Sequence, residues 1–167
     1  SYSVFEDSPS WGEVSDARQG LATADNNRFL RLWHEVSGLK CAYSCESRSD
    51  AKKTGKKWFP YNKGGVFRKW YGNQEYVVNW KNDGEDLDRF RPRAVIRNPE
   101  YYFKPSVSWS DVTSSLNAFR FYQSGFIHDS CGHSVFGLNE NSVKICLSFC
   151  NNKFASRMIQ ILNPTMH

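Results

Sequence analysis

Basic and aromatic residues interleave between Lys52 and Trp80, and Glu75 is the only acidic residue in this tract. Lysine and arginine neutralise phosphates, and aromatic rings stack on nucleic-acid bases or pack a protein core. The tract therefore indicates a surface that binds a polyanion. The alternative is an ordinary strand core whose lysines form its solvated rim.

Two basic segments flank the aromatic centre of this tract, and we interpret both as loops. The first contains Lys52, Lys53, Lys56 and Lys57 around a glycine. The second runs from Asn62 to Lys69 and contains a glycine pair, which lets backbone amides approach a ligand closely. We expect core positions for Trp58, Phe59, Val77, Val78 and Trp80.

Catalytic motifs are weak in this sequence. Asn98-Pro99-Glu100-Tyr101 resembles the Asn-Pro-Pro-aromatic motif that holds a flipped base, but Glu100 replaces the second proline and no glycine-rich cofactor-binding unit precedes it. His128 and Asp129 are the one pair suited to acid/base chemistry, yet neighbours on a strand point to opposite faces. We therefore predict no catalytic residue.

The five cysteines could suggest a metal site, because Cys41 and Cys45 share the spacing of Cys146 and Cys150. Structural zinc usually uses a closer C-x-x-C pair. Cys146 and Cys150 lie in an apolar run, where free thiols behave as small hydrophobic groups. We predict reduced thiols and no metal ligands.

Length and composition indicate one folded domain that binds an anionic partner. The 167 residues can bury one substantial core, and 16% of them are aromatic. The net charge of +5 favours a polyanion partner without proving one. No apolar run is long enough to span a membrane, and we expect a cytoplasmic location.

The order of elements predicts an α+β fold that is rich in strands and has a few helices. We expect an irregular lead-in over 1–17 and strands over 28–36, 75–80, 101–109 and 118–122. A turn at 82–84 and a short helix over 85–93 should follow the second of these strands. A closing unit over 143–167 should contain a strand from the apolar run at its start and a helix near the C-terminus, with Phe154 and Met158 on one helical face. We expect the chain to be a piece of a longer protein.

The polar segment 20–29 allows two interpretations from its residues alone. Its hydroxyl and amide side chains, together with Arg28, could bind phosphate oxygens or base edges. The same residue types are typical of a plain turn that enters a strand.

Several strings of the sequence resemble one known family. They are RQGLATADNNRFLRLWHEV, KWFPYNKGGVFRKWYGNQEYVVNW, NPEYYFKPSVSWSDVTSS, GFIHDSCGHSVF and KFASRMIQILNPT. In order and spacing they resemble the region downstream of the catalytic domain in the PglX family. These are adenine-specific DNA methyltransferases of BREX type 1 phage-defence systems, related to type IIG restriction-modification enzymes.

The resemblance implies a target recognition domain that selects duplex DNA for a separate catalytic domain. That domain would bind S-adenosylmethionine upstream, so the resemblance implies no cofactor and no catalysis in this chain. The family's Thr-Gly-Asp-Asn-like loop matches Thr23 to Asn27, with Ala24 in place of glycine. If this position needs a positive φ, alanine costs on the order of 1 kcal/mol.

Arginine and asparagine side chains match guanine and adenine edges, so the base-edge candidates are Asn26, Arg28, Asn62 and Lys63. The remaining candidates for DNA contact are Thr23, Asp25, Asn27, Arg31, Lys52, Lys53, Lys56, Lys57, Arg68, Lys69, Trp70 and Tyr71.

Two other functions fit the same residues. The basic face could belong to a protein-interaction domain that docks other defence components or receives a phage DNA mimic, since a mimic carries the charge pattern of DNA. A hydrolase that uses His128 and Asp129 is the third hypothesis.

Overall fold

The computed structural model describes residues 11–110, 118–137 and 139–162. Its helices are α1 (Trp11–Val14), α2 (Asn26–Phe29), α3 (Arg48–Thr54), α4 (Lys81–Asp88), α5 (Glu140–Cys150) and α6 (Lys153–Leu162). Its strands are β1 (Ser15–Arg18), β2 (Leu30–Leu32), β3 (Trp58–Asn62), β4 (Tyr76–Asn79), β5 (Ser106–Ser108), β6 (Arg120–Tyr122), β7 (Ile127–His128) and β8 (Ser134–Gly137). This mixture confirms the predicted α+β class.

The strands form two four-stranded sheets. Sheet I has the order β1-β8-β5-β6 and is antiparallel throughout. Sheet II has the order β2-β4-β3-β7, in which β3 and β7 run parallel and the other pairs antiparallel. Both sheets therefore contain strands that are distant in sequence.

Sheet II buries the aromatic centre of the basic tract. Phe59 pairs with Val78, which pairs in turn with Leu30, and these three residues enter the largest apolar cluster. Trp58 and Val77 form a smaller cluster with Cys41. All five residues expected in the core are at most 7% exposed, which confirms that prediction.

Two chain connections follow from local backbone conformation. Asn82, Asp83 and Gly84 have φ values of 51°, 66° and 84°, so the predicted turn after β4 is present. The backbone of Gly20 packs so closely on His128 that a Cβ there would lie 1.9 Å from the His128 carbonyl oxygen. Only glycine fits at this contact.

The predicted irregular lead-in is wrong for its described part. Residues 11–14 form α1, and residues 15–18 form an edge strand in which Asp16 pairs with Phe136. The sequence of β1, Ser-Asp-Ala-Arg, shows no apolar alternation that would predict a strand. Pairing with β8, rather than burial of its side chains, keeps this segment extended. Residues 1–10 lie outside the described residues.

The prediction for the closing unit is wrong in its first half, because a helix replaces the predicted strand. Asn139 caps α5 by accepting a hydrogen bond from the Ser142 amide. Val143 and Cys146 are buried three residues apart, and Leu147 and Cys150 extend this apolar face against sheet I. That spacing has the helical period. Residues 163–167 lie outside the described residues.

The predicted C-terminal helix is confirmed as α6, but its apolar face is exposed. Phe154, Met158 and Ile161 are 67%, 40% and 65% exposed, whereas Ala155 on the other face is buried. None of the described helices has the length and apolar character needed to cross a membrane.

Candidate nucleic-acid interface

The segment 63–73, called here the 63–73 loop, leaves sheet II after β3 and is fastened to sheet I before it returns to β4. The Trp70 amide donates to the Phe119 carbonyl oxygen, and the Phe121 amide donates to the Trp70 carbonyl oxygen, both at 2.9 Å. Trp70 thus acts as a one-residue strand beside β6. The centre of the loop is held as firmly as a sheet edge.

Two buried side chains support the loop from β6. The Tyr122 hydroxyl contacts the carbonyl oxygens of Gly72 and Asn73 at 3.2 and 3.1 Å. Burial raises the pKa of Tyr122 to about 12, so the hydroxyl keeps the proton that it donates. Arg120 is 1% exposed and donates to the Arg68 carbonyl oxygen and to Ser110 Oγ.

Ser110 and Asn73 close the two ends of the loop. Ser110 Oγ donates to the Gly65 carbonyl oxygen at 3.2 Å, and the Asn73 amide side chain donates to the Val66 carbonyl oxygen at 2.9 Å. Buried side chains therefore satisfy the backbone groups on the inner side of the loop. This ordering leaves the outer side chains with a fixed base.

The outer side of the loop presents large apolar side chains to solvent. Phe67, Trp70 and Tyr71 are 52%, 50% and 65% exposed, and Val66 is 68% exposed. Exposed aromatics at such density mark a contact surface rather than a core. Both aromatic residues predicted to contact DNA, Trp70 and Tyr71, lie on this outer side of the loop.

The predicted basic residues of this loop differ in how strongly contacts within the chain hold their side chains. Lys63 lies over the Tyr76 ring, with its ammonium 4.7 Å from the ring centroid. Arg68 pairs with Glu75 at 3.2 Å, with both side chains more than 40% exposed. Exposed pairs of this kind contribute about 0 to 1 kcal/mol, so a phosphate can replace Glu75 as partner. Lys69 is half-buried and donates to the Asn151 carbonyl oxygen at the end of α5.

Asn62, predicted to read a base edge, is buried inside the chain. It is 1% exposed, and its side-chain oxygen accepts a hydrogen bond from the Gly64 amide at 3.2 Å. Its Nδ2 is buried and has no partner among the described residues. The side chain orders the start of the 63–73 loop and does not reach solvent.

The lysine-rich segment is only partly a loop. Lys52 and Lys53 lie on α3, which Ser47 caps and which ends at Gly55 with φ of 63°. The expected loop is therefore limited to Lys56 and Lys57. The helix forms because an N-cap serine and a glycine in the left-handed conformation bracket seven residues, of which Arg48, Ala51, Lys52 and Lys53 have high helix propensity.

Arg31 and Lys57 converge on one ring although they are far apart in sequence. The Arg31 guanidinium carbon lies 5.8 Å from the Trp58 ring centroid, and the Lys57 ammonium lies 5.3 Å from it. Sheet II produces this proximity, because β2 and β3 both flank β4. Lys56 is less free, since its ammonium donates to the Leu39 carbonyl oxygen at 2.6 Å.

The loop at 23–28 is closed largely by its own hydrogen bonds. Thr23 is 4% exposed and donates to Asn26 Oδ1 at 2.7 Å, and Asp25 caps α2 by accepting from the Arg28 amide at 3.0 Å. Asn27 and Arg28 are exposed. Thr23 and Asp25 thus shape the loop, while Asn26, Asn27 and Arg28 remain at the surface.

The described residues form no acid/base pair at His128 and Asp129. His128 is 2% exposed, and burial lowers its pKa to about 4. Asp129 accepts hydrogen bonds from Ser130 and from the Cys131 amide, while its burial raises its pKa. Neither side chain is arranged for hydrolysis.

The residues of the Asn98 motif and the cysteines also make contacts within the fold. Asn98 donates to the Gln19 carbonyl oxygen, and Tyr101 donates to Asp16, so neither is free to hold a base. Cys146 and Cys150 lie with their sulfur atoms 3.9 Å apart. Within the described ranges, no three His, Cys, Asp or Glu side chains are arranged to hold a metal ion.

Two clefts of the described surface lie away from these basic residues. One of about 320 Å³ is lined by Tyr43, Phe121, Glu46 and Glu140, and its two carboxylates repel phosphate. Another of about 140 Å³ contains Glu13 and Asp16. The 63–73 loop is therefore the better candidate for a nucleic-acid contact.

Sequence reasoning missed three residues of this site. Phe67 is an exposed member of the aromatic surface, and its position between small and basic residues was a usable signal. Arg120 and Tyr122 support the loop from beneath, and no local pattern points to that role. They depend on a contact between segments about fifty residues apart.

Two curated proteins are similar to the chain over most of its length. It is 39% identical over 159 residues to the adenine-specific methyltransferase PglX of Lacticaseibacillus casei (strain Zhang), a match that covers 92% of this chain and 13% of the relative. It is 35% identical over 141 residues to the adenine-specific methyltransferase BrxX of Escherichia coli O9:H4 (strain HS), which covers 83% of this chain and 11% of that relative. No family model matches the chain.

The chain thus spans about one eighth of the length of these relatives. The two matches cover most of the region in which the motif strings occur. They confirm the expected resemblance: over most of its length, the chain is similar to a short region of the adenine-specific methyltransferases PglX and BrxX.

Proposed function

We propose that the chain is the DNA target recognition portion of a site-specific N6-adenine DNA methyltransferase in bacterial phage defence. It would bind duplex DNA and select the sequence that a separate catalytic part methylates. That part would bind S-adenosylmethionine. The observation that carries this proposal is the 63–73 loop, which combines exposed aromatic rings, cations and a backbone fastened to β6.

The geometry of the loop suits a groove contact. Phe67, Trp70 and Tyr71 expose apolar rings from one loop, and proteins insert exposed apolar side chains as wedges between base steps. Arg68 and Lys63 lie in the same loop and would bind the flanking phosphates. Because the backbone is already ordered, binding would cost little loop entropy.

Base-edge contacts would come from the surface of the 23–28 loop. Asn26 and Arg28 are exposed and carry the forked groups that match adenine and guanine edges. Asn62 and Thr23 are not included in this proposal, because both are buried. Arg31 and Lys57, which share the Trp58 ring, would add a phosphate contact.

Fluorescence anisotropy with a labelled duplex tests the DNA contact. We expect Trp70→Ala and Tyr71→Ala each to weaken binding about tenfold, since loss of one stacked aromatic costs roughly 1 to 3 kcal/mol. Trp33→Ala is the matched control, because Trp33 is 54% exposed but lies outside the loop. Equal losses in all three variants would contradict the proposed interface.

Sequence selection needs its own measurement. A pool of duplexes with a randomised centre would be bound to the chain at physiological salt, recovered and sequenced. We expect one motif containing adenine to be enriched in proportion to affinity. Binding without enrichment would leave a nonspecific DNA contact and would contradict target recognition.

A protein-docking function is the second candidate, and the C-terminal helices favour it. Ile145 and Phe149 on α5 and Phe154, Met158 and Ile161 on α6 are at least 40% exposed. Surfaces of this composition commonly contact other proteins. Lys56→Glu with Lys57→Glu and Arg68→Glu separates the two functions, because it should abolish DNA binding and leave docking through α6 unchanged. Lys69 is kept, because it donates to the Asn151 carbonyl oxygen between α5 and α6.

A further inference from the structure

Arg28 and Arg93 share one aromatic support outside the 63–73 loop. The guanidinium carbons of Arg28 and Arg93 lie 4.7 and 4.9 Å from the centroid of the Phe90 ring. Phe90 is half-buried and packs on the buried ring of Phe29 at 5.3 Å between centroids. The two arginines therefore stand on a support that is anchored in the core.

Backbone pairing brings these arginines together from distant parts of the chain. The Ala22 amide donates to the Val95 carbonyl oxygen at 2.9 Å, and the Val95 amide donates back to the Ala22 carbonyl oxygen at 2.8 Å. This bridge lies just before α2, where Asp25 fixes the turn that carries Arg28. The positions of Arg28 and Arg93 thus result from the fold and not from a local sequence motif.

Arg89 and Arg91, which follow α4, are paired with carboxylates, whereas Arg28 and Arg93 are not in the described part of the chain. Arg89 pairs with Glu85, and Arg91 pairs with Asp88 at 2.8 Å. Arg28 and Arg93 are exposed, and neither is paired with a carboxylate among the described residues. Two unpaired cations on one ring create a local positive potential that an anion would neutralise.

We infer that Arg28, Arg93 and Phe90 form a phosphate-binding clamp that contacts the nucleic-acid backbone beside the base-reading 23–28 loop. This inference rests on the proposed function, adds Arg93 to the contact surface and gives Arg28 a phosphate contact in place of a base edge, which leaves Asn26 as the base-edge candidate of the 23–28 loop. Both guanidiniums lie within 5 Å of the same ring centroid, so their separation is at most about 10 Å, close to the Debye length at physiological salt. Their fields therefore reinforce one another at a single phosphate segment.

Stacking on Phe90 also explains why arginine suits these positions. A planar guanidinium can lie on an aromatic face and still direct its edge N–H groups outward to phosphate oxygens. Because the ring already restricts the side chain, less side-chain entropy is lost when a phosphate binds. Lysine would keep the charge and lose this orientation.

The salt dependence of duplex binding by the full chain tests the clamp. Each phosphate contact contributes about 0.9 to the slope of log Kobs against log salt concentration. We expect Arg93→Ala to lower the slope by about 0.9, the Arg28→Ala/Arg93→Ala double variant by about 1.8, and Arg93→Lys to keep most of it. The matched control Arg89→Ala removes an exposed arginine that is already paired, so its slope should stay close to that of the parent chain.

The outcomes distinguish this inference from the proposed function. Absence of duplex binding by the unaltered chain contradicts the proposed function and, with it, the clamp. Duplex binding with an unchanged slope in Arg93→Ala contradicts the clamp alone, as does an equal decrease in Arg89→Ala. Circular dichroism of each variant shows that it is folded, and Arg93→Gln supplies the test if Arg93→Ala does not fold, because glutamine removes the charge and keeps most of the side-chain length.

Discussion

Ala24 occupies a backbone conformation that favours glycine. Its φ is 57°, in the left-handed region, so the sequence-based suspicion about this position is confirmed. The neighbouring hydrogen bond between Thr23 and Asn26 and the cap formed by Asp25 keep the loop in this shape. The loop therefore stores strain at one residue beside the candidate base-edge contacts.

We expect Ala24→Gly to raise the free energy of unfolding. The left-handed conformation costs a residue with a Cβ roughly 1 to 2 kcal/mol. The greater freedom of glycine in the unfolded chain offsets about 0.4 to 1 kcal/mol of that gain. The net stabilisation should be on the order of 0.5 to 1 kcal/mol, measured by urea denaturation.

Ala17→Gly serves as the comparison for this change. Ala17 is exposed on β1, where φ is not positive, so glycine gains nothing in the folded state. It should lower the free energy of unfolding by about 0.5 to 1 kcal/mol. If both variants shift in the same direction, backbone strain at Ala24 is not the cause.

At the scale of elements, the 63–73 loop depends on the Tyr122 hydroxyl beneath it. Tyr122→Phe removes the donor for the Gly72 and Asn73 carbonyl oxygens. Buried carbonyls without a partner cost about 1 to 3 kcal/mol, so the loop should open more often. Trypsin should then cleave after Arg68 several times faster than in the parent chain, as measured by limited proteolysis.

Tyr71→Phe removes a hydroxyl from the same loop without removing a support. Tyr71 is 65% exposed, and its cleavage rate should match that of the parent chain. A Tyr122→Phe variant that is cut no faster than Tyr71→Phe would show that the hydroxyl does not hold the loop.

An element could be predicted from the sequence when enough of its residues show the hydrophobic periodicity of a helix or a strand. β4 was foreseen because Tyr76 to Val78 is apolar and a turn follows the strand. α5 was mistaken for a strand because five of the seven residues in Val143–Phe149 are apolar and obscure the helical spacing of Val143, Cys146 and Leu147. β7 has two residues, too few to show an alternation.

The candidate site shows the same limit. Its composition was readable from the sequence, and Trp70 and Tyr71 are exposed as a contact surface requires. The burial of Asn62 and the support by Arg120 were not readable, because both result from pairing between distant segments. Residue type indicated the chemistry of the surface, and only the fold determined which residues reach it.

At the scale of the whole molecule, His128 lies where the two sheets meet. It belongs to β7 of sheet II, and its ring packs on Phe136 of β8 in sheet I at 5.0 Å and on Tyr102 at 5.1 Å. Its Nε2 is buried without a partner among the described residues. A charge on this ring would therefore be introduced into an apolar junction.

We expect this junction to weaken in mild acid. Burial lowers the pKa of His128 from 6.5 to about 4, so the folded state resists the proton that the unfolded state accepts. The contribution of neutral His128 to the free energy of unfolding is fully present above pH 6.5 and is lost as the pH falls toward 4. The total loss is roughly 3 kcal/mol. Urea denaturation at pH 7.5 and pH 5 measures this loss.

Asp129 acts in the opposite sense, because burial raises its pKa, so the comparison must be made with a variant that changes His128 alone. His128→Leu keeps a buried apolar side chain and removes the titration, and its stability should fall less between the two pH values. An equal decrease in both proteins would assign the acid sensitivity to other groups.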